Sequence, residues 1–330
     1  MPQKLLAATS TMALLLAGLM IHPSAVAAAA DGPSSCDRGC LTNLVDNYVA
    51  ALVRHDSTGL PLAGDVKFTE NTAMLPLGDG LWVGASEAPT TFKIYGLDPV
   101  AGQAGIFCVM KEFNKPVIVS IRLRVGGGKI TEIEYIVRRD PRPSGLPNLV
   151  TARPGFLDTV PPAERTPREK MRQIADAYFD TIVKGNGSLA PFADDCERHE
   201  NGVQTTTNKT LPEKGPDGGP LSPAMAKLLA LGCDASMNTG GWTYITRIEP
   251  RRPLIVDEEK GLVFAYPMFI HRGAVRSMKI VGVPGVDALP ISFGPINMEA
   301  TAVFKIRGGK IHEIEAMGFL LPYNSKTGWE

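Results

Sequence analysis

Apolar residues recur at the i, i+3 and i+4 spacing of a helix in two stretches, DNYVAALVR from Asp46 and DAYFDTIVK from Asp176. After each comes a Gly or Asp/Ser break and a short apolar segment, LPLAGD or APFADD, and then the pattern becomes strand-like. The first helix leads into GLWVG, TFKIYGL, GIFCVM, VIVSIRLRV and KITEIEYIV, the second into GWTYITRIE, GLVFAYPMFI, MEATAVFKI and KIHEIEAMG. A helix first and an antiparallel sheet afterwards predicts an α+β fold, with the helix layer capping the concave face of a curved sheet.

The pattern occurs twice because the sequence does. Residues 46–71 align with 176–201 without a gap, and KITEIEYIV and KIHEIEAMG each follow a Gly run (VGGG, RGG) that reads as a hairpin turn. The second copy carries extra residues in NGVQTTTNKTLPEKGPDGGP and RGAVRSMKIVGVPGVDALPISFGPIN, where at least one further strand is expected. The predicted organisation is a leader over 1–30, a first domain over 36–140, a Pro-rich connector over 141–168 and an elaborated second domain over 169–330.

Formal charge is balanced and hydrophobic content is 44%, which suits a globular protein and offers no basic surface to nucleic acid or anionic lipid. Lys4, the apolar run over 12–21 and the small residues over 25–30 have the form of a secretory signal peptide, the apolar run being too short to span a bilayer. A secreted or periplasmic protein without a membrane span is therefore expected. Export permits disulfides. Cys36 and Cys40 would lie about 6 Å apart on a helix, within bonding reach, and a Cys196 to Cys233 bond would staple the insertion, leaving Cys108 in GIFCVM free and buried. With no CxxC pair and no clustered His, no metal site is predicted.

A helix with Y-x-x-A-L-x-x-x-D, then LAGD or FADD, then VKFTEN or CERHEN and long closing strands resembles the nuclear transport factor 2-like superfamily, which includes ketosteroid isomerase, scytalone dehydratase and the polyketide cyclases. The tandem form, with ENG after a first strand, also resembles an uncharacterised group of secreted proteins of bacteria and fungi. The resemblance covers both halves and implies two tandem cone-shaped domains whose outer sheet faces pack as an intramolecular pseudo-dimer. It also implies a small hydrophobic molecule inside a cone, a carboxylate base at Glu70 or Glu200, and a helix phenol at Tyr48 or Tyr178. An apolar cone raises a carboxylate's pKa towards neutrality, where it can remove a proton α to a carbonyl, and a phenol opposite can stabilise the enolate oxygen.

Strand alternation places Val66, Phe68 and Glu70 on the inner face, and likewise Cys196, Arg198 and Glu200, with Glu197 and His199 outward. Glu70 is thus expected to lack a neighbouring cation and to be the better base. Arg198 beside Glu200 favours capture of a polar or anionic group. His312 pairs with Thr131 in the repeat and is expected on the inner face near the mouth, and His271 ends a strand beside the insertion. Phe68 and Trp82, with Tyr95, Tyr135, Trp242 and Tyr244, would wall a flat hydrophobic ligand or simply be core. The GGGK and RGGK runs lack the helix that a phosphate loop needs, and no GxSxG elbow is present, so no cofactor is expected. Two functions of different class follow. One is an exported, cofactor-independent lyase or isomerase (dehydratase, cyclase or ketosteroid-isomerase-like) acting on a hydrophobic carbonyl or hydroxyl compound, and the other is a non-catalytic ligand-binding or assembly protein.

Overall fold

Asp37 starts helix α1 (Arg38–Arg54) by accepting a hydrogen bond from the Cys40 amide at 2.8 Å, and helix α2 (Arg168–Lys184) starts after Pro167 and stops at left-handed Gly185. Each lays an apolar stripe, Leu41, Val45, Tyr48 and Leu52 or Met171, Ile174, Tyr178 and Ile182, into the hollow of a sheet. The computed structural model describes residues 36–211 and 219–330, all within the unit Asp31–Glu330. The leader expected over 1–30 lies outside the described residues. Among the described residues no helix is long and apolar enough to cross a membrane.

The N-terminal sheet has seven strands: β1 (Leu62–Glu70), β2 (Ala73–Met74), β3 (Ala85–Glu87), β4 (Lys93–Asp98), β5 (Gln103–Glu112), β6 (Lys115–Gly126) and β7 (Lys129–Arg138). Their order is β2-β1-β7-β6-β5-β3, with β4 also on β5. The C-terminal sheet contains β8 (Phe192–Glu200), β9 (Val203–Gln204), β10 (Arg247–Ile248), β11 (Pro253–Asp257), β12 (Leu262–Ala265) and β13 (Met268–His271). After a separate hairpin, β14 (Ser277–Lys279) with β15 (Ala288–Pro290), it closes with β16 (Ile296–Arg307) and β17 (Lys310–Pro322) in the order β10-β13-β16-β17-β8-β9. Strand β12 pairs with β11 and β16. When β12 and β13 are taken as one strand interrupted at Tyr266 and Pro267, where proline has no amide hydrogen to give the ladder, the two strand orders are the same.

Each sheet is antiparallel except at one pairing, where β1 runs parallel to β7 and β8 parallel to β17, as the long intervening chain permits. One expectation needs correction, since GLWVG is not a strand. Its Leu81 amide is captured by the Glu70 carboxylate at 2.7 Å, and Leu81–Gly84 forms a single helical turn.

The outer faces of the two sheets pack on each other. Ile94, Phe107, Ile118 and Ile136 of the first meet Ile255, Phe264, Tyr266 and Val303 of the second in one buried cluster. Gly96 and Gly105, cross-strand partners on β4 and β5, make the hollow that receives this side. A Cβ on Gly96 would stand 2.5 Å from the Phe264 ring, and one on Gly105 2.7 Å from Ile255 Cδ1. The ends of the contact are tied reciprocally. Arg38, first residue of α1, donates to Asp257 at the end of β11, at 2.6 Å; Arg168, first residue of α2, donates to Asp98 at the end of β4, at 2.7 Å. The same aspartates accept the amides of Leu97 and Val256 across the contact. The connector contributes Leu149, Ala152 and Phe156 to the cluster between the sheets. Both expected disulfides are present, Cys36 to Cys40 and Cys196 to Cys233 with Cα separations of 5.2 and 5.9 Å, and Cys108 is a buried free thiol.

Candidate active site

Around Glu70 the interior of the N-terminal half is filled by its own side chains. Tyr48, Phe68, Leu81, Trp82 and Tyr135 are all buried there, with Phe68 edge-on to Tyr135 at 4.9 Å. The Tyr48 hydroxyl accepts from the Tyr135 hydroxyl at 2.5 Å and from Trp82 Nε1 at 3.3 Å. Burial, above all, holds the Tyr48 and Tyr135 phenols well above the ordinary tyrosine range. Trp82 and Phe68 are therefore core here rather than walls of an open site.

Glu70 points inward as alternation requires, but the expectation that no cation adjoins it is overturned. Arg139 Nη2 donates to its Oε1 at 2.6 Å, and the same guanidinium holds Glu112 through Nε at 2.7 Å. With the Leu81 amide on its other oxygen, Glu70 is an ion-paired corner post. Arg139 escaped the reading of the sequence, although alternation along Tyr135, Val137 and Arg139 is the signal that points it inward.

The C-terminal half repeats these positions with different residues. Glu70 pairs across the sheet with Tyr135, whereas Glu200 pairs with Ala316. Phe68 has its counterpart in Arg198, each two residues before its glutamate. Arg139 corresponds to Leu320, four residues beyond Tyr135 and Ala316 respectively. Glu112 faces Lys115, the first residue of β6, and His271 faces Ile296, the first residue of β16. Where the first half places a phenol and a guanidinium, the second places a methyl group and an isobutyl group, and a cavity of about 460 Å³ opens.

Its walls come from β8, β13, β16 and the insertion, and include Trp242, Tyr244, Ile245, Phe269, Ile291, Phe293 and Met298. Helix α3 (Pro223–Leu229) and the β14–β15 hairpin share a small apolar core, and from it Leu228, Met278 and Leu289 also face the cavity. The Cys196 to Cys233 bond ties β8 to the start of helix α4 (Cys233–Asn238), whose Ser236 is in the wall.

The polar groups in its wall include Arg198, Glu200, Tyr244 and His271. Arg198 is buried, its Nε donating to Thr205 Oγ1 at 2.9 Å and lying 3.3 Å from Glu200 Oε1, while its guanidinium lies over the Trp242 ring at 4.6 Å. Its Nη2 is buried without a hydrogen-bond partner. His271 is held through Nδ1 by the Tyr244 carbonyl at 2.7 Å, and its Nε2 is also buried and unpartnered. The Tyr244 phenol is pushed up by burial and, next, by Glu200. Tyr178 lies deeper, edge-on to Phe304 at 5.1 Å, its phenol also raised by burial. His312 is not among the cavity residues. Its Nδ1 pairs with Asp195 at 2.7 Å towards the start of β8, because the register slips between Ile311 and Glu313. Glu197 and His199 pair with each other at 2.5 Å. Among the described residues no group of three or more His, Cys, Asp or Glu side chains is placed to hold a metal ion.

A family model described as a domain of unknown function (DUF8021) matches residues 164–318, the half that carries the cavity. No curated protein matches the chain. Among solved structures, an NTF2-like protein of unknown function from Cytophaga hutchinsonii is similar at 14% identity and a TM-score of 0.25, over 31% of this chain and 92% of that one. A steroid delta-isomerase from Pseudomonas aeruginosa is similar at 16% identity and a TM-score of 0.23, over 32% of this chain and 83% of that one. PrhC from Penicillium brasilianum is similar at 12% identity and a TM-score of 0.23, over 46% and 82% respectively.

Proposed function

We propose that the chain takes up a small, largely apolar molecule bearing a carboxylate or carbonyl oxygen in the cavity of its C-terminal half, and that acid–base chemistry of the lyase or isomerase kind, without a cofactor, is run there rather than at Glu70 and Tyr48. The carrying observation is the buried, unpartnered Nη2 of Arg198 over an apolar space. An unpaired buried donor of this kind costs about 1–3 kcal/mol, which a ligand oxygen would recover. The Trp242 ring beneath the guanidinium shields that face from water.

The same reading takes 36–140 and 169–330 as two domains related by duplication, joined as an intramolecular pseudo-dimer in an exported chain. The common strand order, the reciprocal Arg–Asp pairs and the two disulfides support it. Titration with a naphthalene carboxylate, read by tryptophan fluorescence, tests the site. Arg198→Met should weaken binding by about 10- to 100-fold, and the corresponding uncharged methylnaphthalene should bind both proteins alike. Equal affinity of the carboxylate for both would sink the assignment and leave the cavity to a non-catalytic assembly role.

A further inference from the structure

We propose that His271 is the proton acceptor of this cavity, acting on a flat, apolar carbon acid whose carbonyl oxygen is held by Arg198; the proposal rests on the binding reading above. A carbonyl oxygen can only accept, so the 2.7 Å contact from Nδ1 to the Tyr244 carbonyl puts the ring hydrogen on Nδ1 and leaves the lone pair on Nε2. That Nε2 is buried and has no partner in the protein. Tyr244 and Phe293 flank the imidazole edge-on, with ring centroids 5.5 and 5.2 Å away, so its direction is fixed before any ligand arrives.

The register gives the position its meaning. His271 stands where Glu112 stands in the filled half, and there the corner is neutralised by Arg139, which bridges Glu112 and Glu70. In the C-terminal half Leu320 occupies the place of that guanidinium and brings neither charge nor proton. The charged and titratable groups lining the same space are Arg198 and Glu200 of β8, Arg142 of the connector and the Tyr244 phenol. In the step itself the C–H bond breaks and the proton passes to Nε2. The bonding pair forms a carbon–carbon double bond, and the carbonyl π pair moves onto oxygen, where Arg198 meets the negative charge. Return of the proton to another carbon completes an isomerisation, and loss of a β-leaving group instead completes an elimination.

5-Nitrobenzisoxazole reports on such a base without knowledge of the natural substrate. Nε2 takes its ring C–H proton, the nitrile forms, the N–O bond breaks and the oxygen leaves as a coloured phenolate. Wild-type protein should turn it over faster than free imidazole at equal concentration. His271→Asn keeps a donor for the Tyr244 carbonyl but has no Nε2, and should lose about 100-fold or more while keeping the wild-type circular dichroism spectrum. Binding with no wild-type turnover, or undiminished turnover by His271→Asn, overturns the proposal. Loss of carboxylate binding by the wild type itself would mean that the site reading has failed, and the proposal with it. Independently of any variant, nitrogen NMR of the intact protein should find the His271 proton on Nδ1, and a proton on Nε2 in the neutral ring would refute the assignment.

Discussion

Glu70 and Glu200 are one residue type at one place in two copies of a pattern, and their neighbours give them different roles. Each oxygen of Glu70 already accepts a hydrogen bond, one from the Leu81 amide and the other from Arg139. Glu70→Gln keeps an acceptor for the amide but removes the charge opposite Arg139, whose side chain is about half-exposed and softens the loss. The substitution should lower stability by about 1–2 kcal/mol in denaturant titrations, with carboxylate binding in the other half unchanged. Weakened binding would mean that the first half contributes to the site.

At the level of elements, β7 and β17 carry nearly the same phrase, yet one closes a packed core and the other a cavity. One difference lies at the partner of the inward glutamate. Tyr135 reaches Tyr48 and fills the hollow, whereas Ala316 cannot reach Tyr178. Ala316→Tyr should therefore place a ring in the C-terminal space and reduce naphthalene carboxylate affinity by about tenfold or more, with little loss of thermal stability. Unchanged affinity would show that the insertion, rather than this exchange, creates the cavity.

Across the whole molecule, the contact between sheets buries a charged cluster as well as an apolar one. Arg252 donates to Glu134 of the first sheet and lies 3.6 Å from Glu299 of the second, whose Oε1 has no hydrogen-bond partner. Burial first, and then the nearby Glu134, pushes the Glu299 carboxyl up to about 8. Since the unfolded chain releases this proton near its ordinary value while the folded chain still holds it, stability falls as pH rises from about 4.5 towards 8. Glu299→Gln removes that contribution. The variant should melt higher than wild type at pH 9 and close to it at pH 4.5, and parallel melting curves across this range would exclude Glu299 as the titrating group.

The two helices, the repeated closing strands, the inward face of each glutamate and the Cys36–Cys40 pair were legible in the sequence because each depends on spacing along a few turns or residues of chain, whereas the Cys196–Cys233 pair, 37 residues apart, followed from export and the insertion it staples. The α+β class followed from the same local periods. What periodicity could not supply was the partner across space. Arg139 meets Glu70 from 69 residues away. The parallel closure of each sheet, the hollow at Gly96 and Gly105, and the use of the connector as core depend on how two sheets meet. The residues opposite the inward acids also differ between the halves, Tyr135 across from Glu70 and Ala316 across from Glu200. The sequence by itself determined that two apolar hollows with inward acids would form. Only tertiary packing, which sums side-chain volumes and charges brought together from distant strands, decided that the first is filled and ion-paired while the second keeps a cavity with Arg198 and His271 unsatisfied in its wall.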